Sequence, residues 1–257
     1  MALTDNLVAY YKLDESSGNA ADSSGGGFTL TNTNTVAYSA GKINNAADGG
    51  ASNTNKSLQV SNNLGFTDTT DGTWSQWVNV TTAPTENQQL CFTNHYIDAG
   101  KGRFWMYGMF GGVFKIRLYQ DSSSPAVLDV AQTLTTGTWY HIVVTYLNSS
   151  NLTTVYVNGS SIGTVNFGTR NAQTGNFFCI LNFNGGTLPF KGLVDEVGVW
   201  TRVLSGTEIT SLYNGGAGLQ YPFSTSAIKT LNGVAKASIK TINGVAIASV
   251  KTFNGVA

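Results

Sequence analysis

The stretch WYHIVVTYLNSSNLTTVYVNGSSIGT, residues 139–164, carries the pattern that decides the fold class. Side chains two positions apart lie on the same face of a strand, and one face of this stretch holds Tyr140, Ile142, Val144 and Tyr146. The turn formers NSSN and NG interrupt the alternation, and Asn-Gly is the strongest short signal for a hairpin. The stretch therefore predicts successive antiparallel strands that are joined by tight turns.

Runs of the same β-branched and aromatic kind recur outward from this stretch, over residues 3–223. Clusters such as SSGG, DGT and NGG separate them, as expected for turns between short strands. One helix is predicted near residue 208, because Ser205 and Glu208 form a capping-box pattern and Gly215 follows as a stop signal. The sequence therefore predicts an all-β protein, an antiparallel sandwich of two sheets with one short helix.

The composition favours a protein that works outside cells. Charged residues make up 11% of the 257 residues, well below the ~25% that is usual in soluble domains. Lys and Arg number 14, as do Asp and Glu, so the formal net charge is zero and we expect no nucleic-acid partner. We also expect no membrane span, since no run approaches ~20 apolar residues, and the first residues lack a signal-peptide pattern. Virion proteins fit this combination, because they are assembled in the host cytoplasm and released by lysis.

Four stretches, in order along the chain, resemble one known family. They are VAYYKLDESSGNAADSSGGG (residues 8–27), WSQWVNV (74–80), the stretch at 139–164, and GLVDEVGVWTRVLSGTEITSLYNGG (192–216). Each is similar to a characteristic segment of laminin-G-like domains in the concanavalin A-like superfamily. The resemblance covers roughly residues 3–220 and implies a jelly roll. We therefore expect a jelly-roll domain over residues 1–223 and a separate β-repeat tail over residues 224–257.

The same resemblance implies a calcium site. In this family, an aspartate of the closing strand joins oxygens from the first strand or its loop, and the matching residues are Asp14, Asp22 and Asp195. Calcium takes six to eight oxygens, so backbone carbonyls would complete the set. The alternative is structural: Asp14 and Asp22 accept backbone N–H groups in turns, and Asp195 pairs with Arg202. Strand alternation predicts that Glu196 points to the opposite face from Asp195.

The acidic residues do not predict catalysis. Glycoside hydrolysis needs two carboxyl groups roughly 5 to 9.5 Å apart, and glucanases of this superfamily place them on one strand as Glu-x-Asp-x-x-Glu. Every glutamate here lacks an acidic residue two positions on: Glu15, Glu86, Glu196 and Glu208. We therefore expect a protein that is not an enzyme.

The two cysteines, Cys91 and Cys179, leave two alternatives open. They can form one disulfide, or they can be two buried free thiols, and their positions in the sequence do not decide between these states.

Aromatic residues in HYIDAGKGRFWMYGMF, residues 95–110, predict a sugar-binding face. Trp105 and Tyr107 share one face of the predicted strand, and exposed rings stack on the apolar faces of sugars. The predicted rim of this groove consists of His95, Tyr96, Arg103 and Tyr119. The alternatives are that both faces of the strand are buried, or that the exposed face contacts another protein.

The chain ends in a repeat of eleven residues, because Asn-Gly at residues 232–233 recurs at 243–244 and 254–255. Each Asn-Gly predicts a hairpin with a type I′ turn. A three-stranded meander would place Lys229, Lys236 and Lys251 in one row, where like charges repel. Extended segments that pair with different neighbours avoid this repulsion.

Ribbons of this size are marginal in water, and their unpaired edges attract further strands. We therefore expect residues 224–257 to dock onto sister subunits or a virion lattice. A disordered tail is the alternative. The residues predicted to carry the docking are Ile228, Leu231, Val234, Ile239, Ile242, Val245, Ile247, Val250 and Phe253.

Three classes of function compete. The favoured one is a virion surface protein, such as a capsid decoration or tail-fibre component, whose tail ties a lectin-like sandwich to the particle. Laminin-G-like domains with NGVA-type terminal repeats resemble proteins of environmental bacteriophages, which favours this class. The second is an extracellular carbohydrate-binding or adhesion module that recognises cell-surface glycans. An enzyme is the least favoured class.

Overall fold

A computed structural model describes most of the chain. For the described residues between 89 and 119 and between 224 and 257, the description covers the backbone alone. The described residues are 1–52, 55–66, 70–82, 89–96, 103–110, 114–119, 132, 134–166, 177–182, 189–223, 230–231, 234–235, 241–242 and 245–246. The chain divides into two units, Met1–Tyr221 and Pro222–Ala257.

Short strands build the first unit. They are β1 (Leu7–Tyr11), β2 (Thr31–Thr33), β3 (Ala37–Ala40), β4 (Asn45–Asp48), β5 (Ser57–Val60), β6 (Gly72–Val80), β7 (Gln89–Tyr96), β8 (Arg103–Phe110), β9 (Phe114–Tyr119), β10 (Trp139–Leu147), β11 (Leu152–Val157), β12 (Ser160–Asn166), β13 (Phe177–Ile180) and β14 (Gly192–Trp200). One α-helix, α1 (Gly206–Tyr213), and two 3₁₀ turns, Asn148–Ser150 and Asn214–Gly216, complete the described elements of this unit. No helix in the described ranges is long and apolar enough to cross a membrane.

The strands form two antiparallel sheets. The first has eight strands in the order β12-β11-β10-β6-β14-β4-β3, with β1 also paired to β14. The second has six strands in the order β2-β5-β13-β7-β8-β9. Strands β1 and β4 follow one another along one side of β14, since β1 pairs with residues 197–200 and β4 with Leu193 and Val194. The predicted jelly-roll sandwich with one short helix is confirmed.

The core lies between the two sheets. In the stretch that predicted the fold, Ile142, Val144 and Tyr146 are buried in this core, as the alternation requires. The rings of Tyr11 and Phe178, one from each sheet, stack with centroids 5.8 Å apart. Removing such side chains from water supplies the main favourable free energy of folding, on the order of 2 kcal/mol for each large apolar residue.

Helix α1 covers part of the outward face of the eight-stranded sheet. Ser205 is its N-cap, and the predicted capping box with Glu208 is present. Ile209 and Leu212 are the buried residues of the helix. The helix ends at Tyr213, and its C-cap is Asn214, which has left-handed backbone angles and lies one residue before the predicted stop at Gly215.

Cys179 is a buried free thiol. Its S–H donates a hydrogen bond to the carbonyl of Asn182, with a Sγ–O distance of 2.6 Å. Burial raises the pKa of this thiol, so it is an unreactive core residue. Of the two open alternatives, the disulfide with Cys91 is therefore not formed.

The second unit contains two short hairpins. Strand β15 (Thr230–Leu231) pairs with β16 (Val234–Ala235), and β17 (Thr241–Ile242) pairs with β18 (Val245–Ala246), as two separate two-stranded sheets. The strands have the same register eleven residues apart, with Asn-Gly between them in each case. Outside the described residues lie Ile228, Ile239, Ile247, Val250 and Phe253.

Candidate functional site

Strand β14 is irregular at its centre. One extra residue is inserted between the pairs that Asp195 and Gly198 make with β6, which defines a β-bulge. Glu196 takes a φ of 50° there. Because Val194 and Val197 both belong to the core, the two residues between them both lie on the outward face. The expectation that Glu196 and Asp195 point to opposite faces is therefore wrong, since the bulge interrupts the alternation.

Asp195 is completely buried and is held by backbone groups. Its Oδ2 accepts the N–H groups of Lys42 and Ile43 at 2.8 and 3.0 Å, and its Oδ1 accepts the N–H of Glu196 at 2.8 Å. Gly41 permits this approach, because a Cβ at that position would lie 2.7 Å from Oδ2. Burial and the Glu196 carboxylate raise the pKa of Asp195 to about 8, against the lowering effect of the three N–H donors.

Glu196 is also almost fully buried, with 3% of its surface exposed. Its Oε2 accepts a short hydrogen bond from the hydroxyl of Tyr10, and its Oε1 accepts one from Nε2 of Gln220 at 2.5 Å. Burial raises the pKa of Glu196 to about 7, and the nearby Asp14 carboxylate adds to the rise. The Tyr10 and Gln220 donors act in the opposite direction.

Asp14 belongs to the same cluster. Its Oδ2 accepts Nε2 of Gln220 at 2.9 Å and Nδ2 of Asn44 at 3.2 Å, and its Oδ1 accepts the N–H of Asn45 at 3.2 Å. One amide, that of Gln220, therefore joins Asp14 to Glu196. Gln220 was not among the predicted site residues, because no motif or period in the sequence connects it to the residues that it bonds.

Asp22 lies in a turn and has its own donors. Its Oδ1 accepts the N–H of Tyr10 and both the N–H and the hydroxyl of Ser24, and its Oδ2 accepts the N–H of Phe28. These bonds agree with the structural alternative for this residue. Among the described residues, no group of three or more His, Cys, Asp or Glu side chains is arranged to hold a metal ion. The calcium site stays a prediction.

Arg202 has a partner other than Asp195. Its Nη1 and Nη2 donate to the two carboxylate oxygens of Glu208 at 2.9 and 2.6 Å. Its Nε and Nη2 also donate to the carbonyls of Asp5 and Ala2 at 2.8 and 2.9 Å. The Arg202 donors hold the pKa of Glu208 down at about 2. The alternative that Asp195 pairs with Arg202 is therefore wrong.

An aromatic cluster lies on the outward face of the eight-stranded sheet, beside Asp195 and Glu196. The Trp77 ring lies 5.1 Å from that of His141 and 5.8 Å from that of Tyr213, and Nζ of Lys42 lies 4.7 Å above Trp77. Nε2 of His141 is 2.8 Å from the hydroxyl of Ser75, while its Nδ1 has no hydrogen-bond partner. Burial lowers the pKa of His141 to about 3, so the imidazole is neutral.

The predicted sugar-binding residues lie on three adjacent strands, β7, β8 and β9, whose backbones are described. Trp105 is paired with Asn94 on one side and with Tyr119 on the other. Arg103 is opposite Tyr96. Two further pairs are Tyr107 with Arg117 and His95 with Phe104. The fold thus brings the six predicted residues into one region of the six-stranded sheet.

Comparison with known proteins agrees with this architecture. The family model Laminin_G_3, described as the concanavalin A-like lectin/glucanases superfamily, matches residues 48–210. Among curated proteins, no sequence gives a significant match.

Several solved structures share the fold. Domain 4 of AbnA, an extracellular GH43 arabinanase of Geobacillus stearothermophilus solved with arabinotriose, matches with a TM-score of 0.60 and 22% identity over 80% of this chain and 97% of that domain. The binding domain of Paraclostridial Mosquitocidal Protein 1 matches with a TM-score of 0.62 and 19% identity, over 84% and 53% of the two chains. The binding domain of Botulinum Neurotoxin DC in complex with SialylT gives 0.61 and 11%, over 86% and 53%. The chain spans about half the length of these toxin domains, and the likeness concerns the fold.

Proposed function

Because this chain belongs to the concanavalin A-like lectin/glucanases superfamily, we propose that residues 1–221 form a carbohydrate-binding module without enzymatic activity. The observation that carries the proposal is the pairing of Trp105 with Tyr119 and Asn94 on adjacent strands. Structures of the same fold have been solved with arabinotriose and with SialylT, which supports a sugar as the ligand.

Strand register refines the proposed groove. Directly paired residues of antiparallel strands share a face, and so do residues two apart on one strand. Trp105 and its partner Tyr119 would then share a face with Tyr107, Arg103 and Tyr96. Arg117, the partner of Tyr107, belongs to the same face. Four aromatic residues and two arginines on one face can provide stacking surfaces and hydrogen-bond donors for a sugar. His95 is out of phase with this set, because it is paired with Phe104.

A role without catalysis is supported by the state of the acidic pair on β14. Asp195 and Glu196 are buried, and their oxygens are occupied by Tyr10, Gln220 and backbone N–H groups. Carboxyl groups that flank a glycosidic bond must face the sugar with room for it between them. This pair faces protein groups and so lacks that arrangement.

The test is glycan binding by variants on β8. The full-length protein is screened on an array that includes arabino-oligosaccharides and sialylated glycans, and affinities are then measured by calorimetry. We expect Trp105→Ala to weaken binding by about tenfold or more, because the stacking surface is lost, and Trp105→Phe to keep most of the affinity. The matched control is Tyr156→Ala, on β11 of the other sheet. Unchanged affinity in a folded Trp105→Ala protein would falsify the site.

We further propose that residues 224–257 dock this module onto sister subunits or a virion surface, with extracellular release as the alternative location. The supporting observation is that each described tail hairpin has strands of only two residues, too short to be stable alone. Deleting residues 224–257 should leave sugar binding intact and abolish incorporation into particles, as measured by mass spectrometry of purified virions. Equal incorporation of the truncated chain would contradict the docking role.

Calcium is the proposed cofactor, with Asp14, Asp22 and Asp195 as its predicted ligands. The described contacts limit this proposal, because the oxygens of Asp22 and Asp195 already accept N–H groups. Calcium that binds only the folded chain must raise the thermal midpoint by mass action. The measurement is that midpoint in roughly 2 mM calcium and in chelator, for wild type and for Asp14→Asn. A midpoint that calcium does not move in wild type contradicts the site.

A further inference from the structure

The zero net charge of the chain conceals a division between its two units. Residues 1–221 contain all 14 acidic residues and ten of the basic ones, whereas residues 222–257 contain four lysines and no acidic residue. The formal charges are therefore −4 and +4. The four lysines of the tail are Lys229, Lys236, Lys240 and Lys251.

The acidic excess of the first unit is concentrated near its start. Residues 1–50 hold five carboxylates and only two lysines. The ion pair between Arg202 and Glu208 includes none of these five carboxylates. They belong to Asp5, Asp14, Glu15, Asp22 and Asp48.

Three of these carboxylates lie near an edge strand. Strand β3 ends the eight-stranded sheet and pairs only with β4 among the described strands. At one end of this ladder Asp48 is opposite Ala37, and at the other Asn45 is opposite Ala40. The N–H of Asn45 donates to the carboxylate of Asp14, and its Nδ2 donates to the backbone carbonyl of Glu15. Ala37 and Ala40 are exposed. The opposite edge of the sheet, β12, contains no charged residue.

We propose that the tail of one copy adds a strand to the free edge of β3 in a second copy, with tail lysines facing Asp14, Glu15 and Asp48. An unpaired edge offers N–H and C=O groups to an incoming strand. The tail supplies Val, Ile and Thr, which favour extended backbone. Opposite charges then select β3 over β12 and fix the register. This inference rests on the proposed docking role of the tail and is independent of sugar recognition.

Such an interface is head-to-tail, since two different surfaces meet. Repeating it gives a ring if the rotation closes and a filament if it does not. Both products carry many copies of the sandwich, so weak sugar binding by one copy would be strengthened through avidity.

Sedimentation velocity of the full chain measures the association. We expect concentration-dependent oligomers whose dissociation constant rises about tenfold or more between roughly 50 mM and 500 mM salt, because screening weakens exposed charge pairs. The variant with Lys229, Lys236, Lys240 and Lys251 all changed to Gln should be monomeric at the same concentrations. Ala40→Lys on β3 should also be monomeric, whereas the matched change Thr164→Lys on β12 should associate like wild type. Circular dichroism checks that each variant is folded.

A mixing experiment separates this interface from any other. The four-glutamine variant keeps its β3 edge and the Ala40→Lys variant keeps its tail, so the two monomers should form a one-to-one dimer when mixed. The proposal is overturned if wild type is monomeric in low salt, if Ala40→Lys and Thr164→Lys behave alike, or if the mixture contains no dimer. Glycan binding by the monomeric variants, measured by calorimetry, tests the sugar site separately.

Discussion

Two glutamates on the outward face of the eight-stranded sheet show how a partner decides protonation. Glu208, at the start of α1, accepts two hydrogen bonds from Arg202, and its pKa is held at about 2. Glu196, in the bulge of β14, accepts hydrogen bonds from Tyr10 and Gln220, and its pKa rises to about 7.

The difference lies in charge and burial. The guanidinium beside Glu208 stabilises the ionised form, whereas Glu196 has neutral donors and two carboxylate neighbours in a buried place. One region is therefore an ion pair that ties the chain start to the helix, and the other is a carboxylate pair that prefers to hold protons. Four predictions test this contrast, from the largest expected effect to the smallest.

Arg202→Met should lower the free energy of unfolding by about 4 kcal/mol, because it removes the guanidinium that is paired with the Glu208 carboxylate and that donates to two carbonyls. Urea denaturation at pH 7 measures the change. Arg202→Lys is the control and should lose about half as much, since one ammonium cannot replace the bidentate contact. A loss below about 1 kcal/mol in Arg202→Met would show that the ion pair contributes little.

The free energy of unfolding should fall by roughly 3 kcal/mol as the pH rises from about 4 to about 8. In the unfolded chain the pKa values of Asp195 and Glu196 are near 3.8 and 4.5. In the folded chain they rise to about 8 and about 7. The folded state therefore binds more protons in this window, and its advantage is lost as the pH rises through the folded pKa values. The lowered pKa of Glu208 has the opposite effect on stability. Its contribution is complete above pH 4.5 and is lost as the pH falls towards about 2. Denaturation across the pH range measures this slope, and Glu196→Gln should reduce it. A flat wild-type profile would refute the raised values.

Tyr10→Phe should cost about 2 kcal/mol at pH 8 and about 1 kcal/mol at pH 5, because its hydroxyl bonds a charged carboxylate only at the higher pH. Denaturant unfolding at both values gives the comparison. Tyr38→Phe is a matched control, since its hydroxyl donates to the carbonyl of Gly18 and its cost should not depend on pH. Equal losses at the two pH values in Tyr10→Phe would mean that Glu196 does not change its ionisation state between pH 5 and pH 8, which would contradict a pKa of about 7.

Ser205→Ala should cost about 1 kcal/mol by removing the N-cap of α1. Its hydroxyl accepts the N–H of Glu208 at 3.3 Å. Ser211→Ala, at an exposed position of the same helix, should change stability by less than about 0.5 kcal/mol. Thermal unfolding of the two variants separates the cap from helix propensity, and equal midpoints would argue against the cap.

The sandwich could be predicted because its signals are local. Alternation along residues 139–146 marks the core face of β10, and the Ser205 and Glu208 spacing marks the start of α1. Both signals are short spacings that follow directly from backbone geometry: side chains two positions apart on a strand, and a cap and its partner three positions apart at a helix start.

The carboxylate cluster could not be predicted in the same way. The bulge at Glu196 requires a left-handed φ. Glycine and asparagine favour this conformation and would indicate it in a sequence, whereas glutamate does not. Gln220 reaches Asp14 across 206 positions of sequence, and only the closing of the fold brings them together. Asp22 shows the converse. The family resemblance predicts it as a calcium ligand, but its carboxylate oxygens accept the N–H groups of Tyr10, Ser24 and Phe28.

The bond between Gln220 and Asp14 has a consequence for how the sandwich can be carried in a polypeptide. It joins the first strand region to the last residues before Pro222, and Arg202 likewise reaches the carbonyl of Ala2. The residues just before Pro222 are therefore part of the folded domain, since Tyr221 also packs its ring 5.7 Å from that of Tyr10. A fusion that moves the sandwich into another polypeptide must keep Gln220, because a cut before it would remove the amide that Asp14 and Glu196 share.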